Sequence, residues 1–305
     1  MKKASTPRYD PVPIGEVAKP PFACPPDPLS LFRTRAQRFV ALGARHELGE
    51  YLRFLAGLAE TQHRVQEELP VPDPPSEELR ERAREFGLPP LPRDQFTFEP
   101  VFAATLARLL ARVTAVDMPP PARVALERLI DADVATREHM ARAVLANSLP
   151  IETLAEHIYV AAALQVHFAR LAAQLSPDRL VPIGKAVCPV CAGLPVCSLL
   201  VGWRTAQATR FCACALCGTL WNYVRIKCTL CGSTKGISYQ QTEGGSGTVK
   251  AETCDSCHGY VKILHQHEDP QLEPVADDVA TLGLDLLLRE AGYRRGGVNF
   301  FLHGY

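Results

Sequence analysis

Eight cysteines arranged as four Cys-x-x-Cys pairs are the residues of this chain best suited to chemistry. The pairs are Cys188/Cys191, Cys214/Cys217, Cys228/Cys231 and Cys254/Cys257. In each half, 22 residues separate the two pairs, and each cysteine of the second half follows its counterpart by 40 residues. Two thiolates spaced in this way can bind one ion from a tight turn, and two such turns complete a tetrahedral site. The pattern therefore predicts an internal repeat that carries two four-cysteine metal sites.

The two sites are expected to form sequentially, with the first four cysteines at one ion and the last four at the other. A cross-brace between the first and third pairs would keep the same period. Each spacer, however, contains two strand-like segments around a glycine turn, so closure within one half needs only a short loop. The predicted hairpins are Val196–Val201 with Thr205–Ala213 and Ile237–Thr242 with Thr248–Thr253. A hairpin that returns one pair to face the other is typical of rubredoxin-like and zinc-ribbon modules.

Other uses of paired cysteines fit this chain less well. Disulfides require an oxidising compartment, whereas residues 1–7 lack the apolar core of a secretory signal, which favours the cytoplasm. A thioredoxin-type dithiol usually occurs once and beside a βαβ unit. Four thiolates suit zinc and iron alike, and iron–sulfur clusters also use four cysteines. The spacing alone therefore leaves the metal open.

The elements that would position these cysteines give an α+β fold in five segments. We expect a Pro-rich arm over residues 1–28, a helical domain over 29–184, a first four-cysteine ribbon over 185–227, a second over 228–270, and a C-terminal helix and tail over 271–305. Apolar residues at helical spacing predict helices near Leu29–Leu42, Leu48–Leu69, Phe98–Val116, Pro119–Asn147, Pro150–Leu175 and Val275–Gly292. Ser76, followed by two glutamates, marks a further helix start. The apolar tail around Phe300 and Phe301 is expected to dock on the body.

Composition excludes several classes of function. Lysine plus arginine and aspartate plus glutamate both total 33, so no overall positive charge attracts nucleic acid or an acidic membrane surface. No apolar run is long enough to cross a membrane. Neither a phosphate-binding loop nor a G-x-G-x-x-G motif is present. Eight thiolates that fill two sites would leave no open coordination position, which indicates structural or electron-transfer sites and not a hydrolytic enzyme.

The three cysteines outside the four pairs, and three histidines near the last pair in sequence, have other expected roles. Cys24 is expected to be an incidental thiol, with an extra metal ligand as the alternative. Cys197 and Cys212 are left over from the four pairs; we expect Cys212 to be buried in its hairpin, with a redox thiol as the alternative. His258, His265 and His267 flank the last pair and could contact the metal ligands from outside.

Several stretches resemble the formate dehydrogenase accessory protein FdhE family. They are Tyr51–Ala56, Arg210–Cys217, Val224–Cys228, Lys250–Asp255, Tyr260–Leu264, Glu273–Asp278 and Glu290–Arg295. The similarity covers nearly the whole chain, and the four cysteine pairs show no departure from the family pattern.

The resemblance implies a cytoplasmic maturation factor that is not itself an enzyme. Family members bind the molybdenum-containing catalytic subunit of respiratory formate dehydrogenase before its export and hold iron in rubredoxin-like sites. The resemblance therefore implies that subunit as the partner, two metal ions with iron expected in the cell, and no membrane insertion or nucleic acid. Expected client surfaces are the groove between bundle and ribbons and the region from Asp277 and Asp278 to Arg294 and Arg295, where interdomain salt bridges are the alternative.

Two other functions remain open from the residues alone. Tandem zinc ribbons often bind nucleic acid, but Cys188–His267 carries only seven scattered Lys and Arg side chains beside three acidic ones. An electron carrier or thiol oxidoreductase that uses the sites catalytically is the third interpretation.

Overall fold

The first half of the molecule is a helical domain. The computed structural model describes residues 20–184, 186–204 and 206–302. The helices of this domain are α1 Leu31–Gly43, α2 Gly49–Glu68, α3 Glu77–Phe86, α4 Pro100–Val113, α5 Pro120–Asp131, α6 Val134–Ala146 and α7 Leu154–Ala172. The last of these, α7, is apolar on nearly every side, and α2, α4, α5 and α6 all pack against it. It is therefore the centre of the bundle.

Helix boundaries follow local capping chemistry, which explains where the sequence prediction was right and where it was wrong. Ser76 caps α3 as expected, since its side chain accepts a hydrogen bond from the Leu79 amide. The region predicted as one long helix, Pro119–Asn147, is two helices. Asp133 adopts an extended backbone and caps α6 by accepting from the Thr136 amide. A strong internal cap therefore ends one helix and starts the next.

The second half is organised around one sheet. Its strands are β1 Ala23–Cys24, β2 Cys197–Val201, β3 Thr209–Ala213, β4 Leu220–Asn222, β5 Ile237–Gln240, β6 Val249–Cys254, β7 Gly259–Leu264 and β8 Arg294–Arg295. The order across the sheet is β1-β4-β3-β2-β7-β6-β5, and β8 pairs with β7. Both predicted hairpins are present as the antiparallel pairs β2/β3 and β5/β6. The α+β fold class is confirmed.

The 40-residue repeat of the sequence is a repeat of three strands. Strands β2, β3 and β4 correspond to β5, β6 and β7, and each set forms its own antiparallel meander. The first strand of the first meander, β2, pairs in parallel with the last strand of the second, β7. This pairing places the cysteine pairs of both meanders at the same end of the sheet.

A buried ion pair connects the two meanders. The Arg210 guanidinium on β3 donates two hydrogen bonds of 3.0 Å to the Glu252 carboxylate on β6, and it also donates to Ser198 on β2. The side chains of Arg210 and Glu252 are 0% and 2% exposed. Both charged groups are shielded from water. Each therefore depends on its partner on the other meander to compensate its charge.

The C-terminal region folds back over this junction. Its helices are α8 Pro274–Ala280 and α9 Leu282–Glu290, so the predicted single helix is interrupted at Thr281. Arg38 on α1 donates to Asp277 at 2.7 Å, which ties α8 to the helical domain. The tail docks as predicted, because Phe300 and Phe301 are buried. Helices, first meander and tail thus share one apolar core.

We expect Arg210→Ala to destabilise the protein by about 3–5 kcal/mol, since it leaves the Glu252 carboxylate buried without its cationic partner. Urea unfolding followed by circular dichroism measures this change. The double replacement Arg210→Met with Glu252→Met should recover most of the loss, because it removes both charges and keeps apolar volume. A double variant no more stable than Arg210→Ala would contradict this account.

Candidate metal centres

The first centre is formed by the four cysteines of the first meander. Cys188 and Cys191 precede β2, while Cys214 and Cys217 lie in the turn between β3 and β4. The Sγ atoms of Cys188 and Cys217 are 3.6 Å apart, and those of Cys191 and Cys214 are 3.4 Å apart. All four sulfur atoms lie within 4.8 Å of one another.

The second centre repeats this arrangement one meander later. The Sγ atoms of Cys228 and Cys257, and those of Cys231 and Cys254, are both separated by 3.8 Å. A regular tetrahedron with metal–sulfur bonds of about 2.3 Å has edges of about 3.8 Å. The sulfur atoms of each centre therefore fit one tetrahedral ion, and the grouping is the sequential one, not the cross-brace.

Backbone conformation aims the thiolates in all four turns. The residue that follows each second cysteine has a positive φ: 61° at Ala192, 72° at Gly218, 78° at Gly232 and 50° at His258. This conformation curls backbone amides toward sulfur, as the Ser233 amide does toward Cys231 Sγ at 3.5 Å. Only two of the four positions are glycine.

The electrostatics of the clustered sulfur atoms favour a bound cation. Burial, together with the neighbouring sulfur atoms, raises the pKa of the Cys188 thiol well above its ordinary value. Four thiolates so close together repel one another, so without a cation they hold protons, and a bound cation would displace those protons and offset the repulsion. The donor set therefore fits zinc or iron, and it does not distinguish them.

The two centres differ in their cover. In the first centre, Cys188, Cys191 and Cys217 are all 0% exposed. Gln165 on α7 donates to the Ala215 carbonyl at 2.8 Å, and the Leu91 amide donates to the Val190 carbonyl at 2.9 Å. In the second centre, Cys231 and Cys257 are partly exposed. The first centre is enclosed by the helical domain, whereas the second reaches the surface.

A glycine pair in the C-terminal segment passes between the two centres. A Cβ atom on Gly296 would lie 2.2 Å from Leu230, which stands between Cys228 and Cys231. A Cβ atom on Gly297 would lie 1.8 Å from the Pro195 carbonyl oxygen, just after the first cysteine pair. At Gly297 the obstacle is backbone, so no side chain fits there, whereas at Gly296 it is the Leu230 side chain. The C-terminal segment therefore holds the two centres in a fixed relation.

The remaining cysteines lie outside both centres. Cys212 is buried, as predicted, and burial raises its pKa to about 12, so it stays a protonated and unreactive thiol. Burial also raises the pKa of Cys197. Cys24 pairs with Leu220 across β1 and β4, and its half-buried sulfur is not grouped with either set of four.

Two expectations about other residues were wrong. Asp277 and Asp278 do not form a client surface, because they are 3% and 0% exposed and pair with Arg38 and Arg295. The alternative of interdomain salt bridges is what the structure contains. His265 and His267 do not adjoin the last cysteine pair; they follow β7 at its far end, roughly 20 Å along the strand.

Family models match almost the whole described chain. The FdhE N-terminal model matches residues 20–185, the central-domain model 187–225 and the C-terminal-domain model 226–302. The chain belongs to the FdhE family. Among its FdhE relatives, a homolog from Rhizobium meliloti (strain 1021) is 45% identical, with 97% of each chain covered. The FdhE protein of Escherichia coli (strain K12) is 34% identical over 90% of this chain and 88% of its own length.

A solved FdhE structure has the same fold. The crystal structure of the FdhE protein from Pseudomonas aeruginosa matches with a TM-score of 0.83 at 32% identity. The match covers 93% of this chain and 99% of that one. The architecture of helices, paired meanders and C-terminal helices is therefore shared within the FdhE family.

We expect a chelator to remove metal from the second centre first, by roughly tenfold in rate, because release from the first requires the helical cover to open. A chromogenic chelator should show two phases of about one ion each. Cys257→Ser should abolish the fast phase, and the paired change Cys188→Ser with Cys191→Ser should abolish the slow one. A single phase in the unaltered protein would count against unequal cover.

We expect Gly297→Ala to lower the melting temperature, since the added methyl group overlaps the Pro195 carbonyl and the segment must shift. Gly283→Ala is the matched control, because no atom lies within 4 Å of a Cβ built there in α9. In a helix that control should be neutral or stabilising by about 0.5–1 kcal/mol. Equal melting temperatures for the two variants would refute the close approach.

Proposed function

We propose that this protein is a metal-containing accessory factor that binds the catalytic subunit of formate dehydrogenase during its maturation in the cytoplasm. The eight paired cysteines are its metal ligands, and iron occupies both centres in the cell. Membership of the FdhE family supports the accessory role. The two tetrahedral sulfur sets support two closed metal centres without a coordination position for substrate.

The single observation that carries the client-binding proposal is the exposed surface beside the second centre. Val224 and Ile226, just before Cys228, are 51% and 69% exposed. Tyr223 fixes this turn to the centre, because its hydroxyl donates to the Cys228 carbonyl. Exposed apolar side chains next to accessible thiolates give a partner both apolar area and a rigid support. The client surface therefore includes this turn and the partly exposed cysteines.

None of the described helices combines the length and apolarity that a membrane crossing requires. The purified protein should not oxidise formate, because in this proposal the molybdenum cofactor belongs to the client. An assay of formate oxidation with an artificial electron acceptor tests this point. Activity that follows this chain through purification would contradict the accessory role.

We expect Ile226→Glu to weaken binding of the catalytic subunit by at least about tenfold, the effect typical of a residue near the centre of an interface. Ile151→Glu is the matched control, since Ile151 is 80% exposed in the helical domain. Metal content and melting temperature should stay unchanged in both variants. Affinity of Ile226→Glu equal to that of the control would exclude this turn from the interface.

A further inference from the structure

A second type of ligand cluster lies at the end of the sheet opposite the cysteines. His265, His267 and Glu268 occupy the turn that follows β7. One potential ligand atom from each of them lies within 4.8 Å of the other two. This cluster has no part in the accessory function proposed above.

The three side chains converge on one point. His265 Nδ1 is 3.2 Å from Glu268 Oε1, and His267 Nε2 is 3.5 Å from the same oxygen. The two imidazole rings are stacked, with centroids 5.4 Å apart and an angle of 29° between their planes. Two ring nitrogens that face one carboxylate oxygen can take up an ion with small side-chain movements.

The backbone holds this turn in place before any ion binds. The His265 amide donates to the Thr248 carbonyl at 2.8 Å, and the His267 amide donates to the Leu200 carbonyl at 2.9 Å. Gly202 allows the β2–β3 connection to approach closely, since a Cβ there would lie 3.1 Å from His267 Cα. Both histidines are therefore fixed to neighbouring strands, which lowers the entropy cost of binding.

The hydrogen bond of His267 also suits ligation. Its Nδ1 lies 3.3 Å from the Leu200 carbonyl oxygen. A proton on Nδ1 donates to that oxygen and leaves the Nε2 lone pair directed at the cluster. Histidine ligands of metals commonly use their second ring nitrogen in this way, with a backbone carbonyl as acceptor.

We propose that His265 Nδ1, His267 Nε2 and Glu268 Oε1 bind a divalent transition-metal ion such as Zn²⁺. Two imidazoles and a carboxylate suit such an ion better than Mg²⁺ or Ca²⁺, which prefer oxygen ligands. The side chains are 13%, 23% and 50% exposed, and three ligands leave a coordination position open to solvent. This third ion therefore exchanges more readily than the ions held by four thiolates.

Neighbouring charges set the strength of this site. Burial lowers the pKa of His265, the positive charge of Lys250 on β6 lowers it further, and that charge also opposes a bound cation. Asp269 does not offset it, because its carboxylate pairs with Arg38 at 3.3 Å. Glu268 therefore supplies the main charge complementary to the ion.

The experiment uses full-length, tag-free protein whose two cysteine centres have been filled with Zn²⁺ and freed of excess metal. Titration with Zn²⁺ by calorimetry should reveal one further ion per chain. In the unaltered protein, the ring proton signals of His265 and His267 should shift in the NMR spectrum as this ion binds. Absence of a third ion up to about 0.1 mM free Zn²⁺ would overturn the proposal.

The variants separate ligation from folding. His267→Asn keeps a donor for the Leu200 carbonyl but removes Nε2, so it should lose the third ion and keep the first two. Glu268→Gln keeps the volume and should weaken binding at least tenfold. His139→Ala is the control, because His139 is an exposed histidine in the helical domain. The proposal would also be overturned if the double variant His265→Ala with His267→Asn still bound a third ion. Equal loss of the third ion in His139→Ala would overturn it as well.

Discussion

Charged side chains that are buried between the two meanders must be paired with opposite charges, and the rest of the structure depends on this pairing. The Arg210–Glu252 pair connects β3 with β6, and Ser198 on β2, the strand next to β3, accepts a further hydrogen bond from Arg210. Lys262 on β7 is 0% exposed and pairs with Asp278 and Asp285 of the C-terminal helices. If one partner of such a pair were lost, the remaining charge would stay buried without compensation, which is strongly destabilising. The metal centres therefore rest on a junction that is held as one unit.

The same junction explains why the C-terminal region belongs to the metal-binding half and not to a separate tail. Arg295 pairs with Asp278 and Asp285, which also hold Lys262. Burial raises the pKa of Asp278, but the cations Arg295 and Lys262 lower it by more. The carboxylate of Asp278 therefore stays charged. The glycine pair that follows Arg295 then brings the chain between the two cysteine centres. Charge pairing and close backbone approach thus act on the same short segment.

Local signals in the sequence predicted much of this architecture. The cysteine spacing identified both sulfur clusters and their grouping, because two turns with a short spacer can close in only a few ways. The hairpins followed from strand-like segments on either side of glycine turns, and Ser76 indicated a helix start. These features depend on neighbours in the chain. The split at Asp133 was also encoded locally, since aspartate is a strong N-cap, but the continuous helical pattern around it concealed the signal.

Features that depend on distant residues could not be predicted in this way. Nothing in the spacing shows that β2 pairs with β7, and that pairing decides which end of the sheet carries the cysteines. Burial of Asp277 depends on Arg38, more than 200 residues away, and that of Asp278 depends on Lys262 and Arg295, so these aspartates resembled surface charges. His265 and His267 are close to the last cysteine pair in sequence, but β7 lies between them and that pair, which the spacing alone does not show. The left-handed residues Ala192 and His258 likewise could not be inferred from a glycine pattern.

Parallel pairing of the first strand of one meander with the last strand of the next is a heterologous contact. Such a contact does not close on itself, so a third meander could in principle add to either side without end. The two outer edges must therefore be terminated by other means. At one edge, the two-residue strand β1 covers β4. At the other, β5 is only four residues long and its last three are exposed, and a short, solvated edge strand discourages the addition of another chain. The N-terminal strand is, in this sense, a cap for a duplicated module that would otherwise be open-ended.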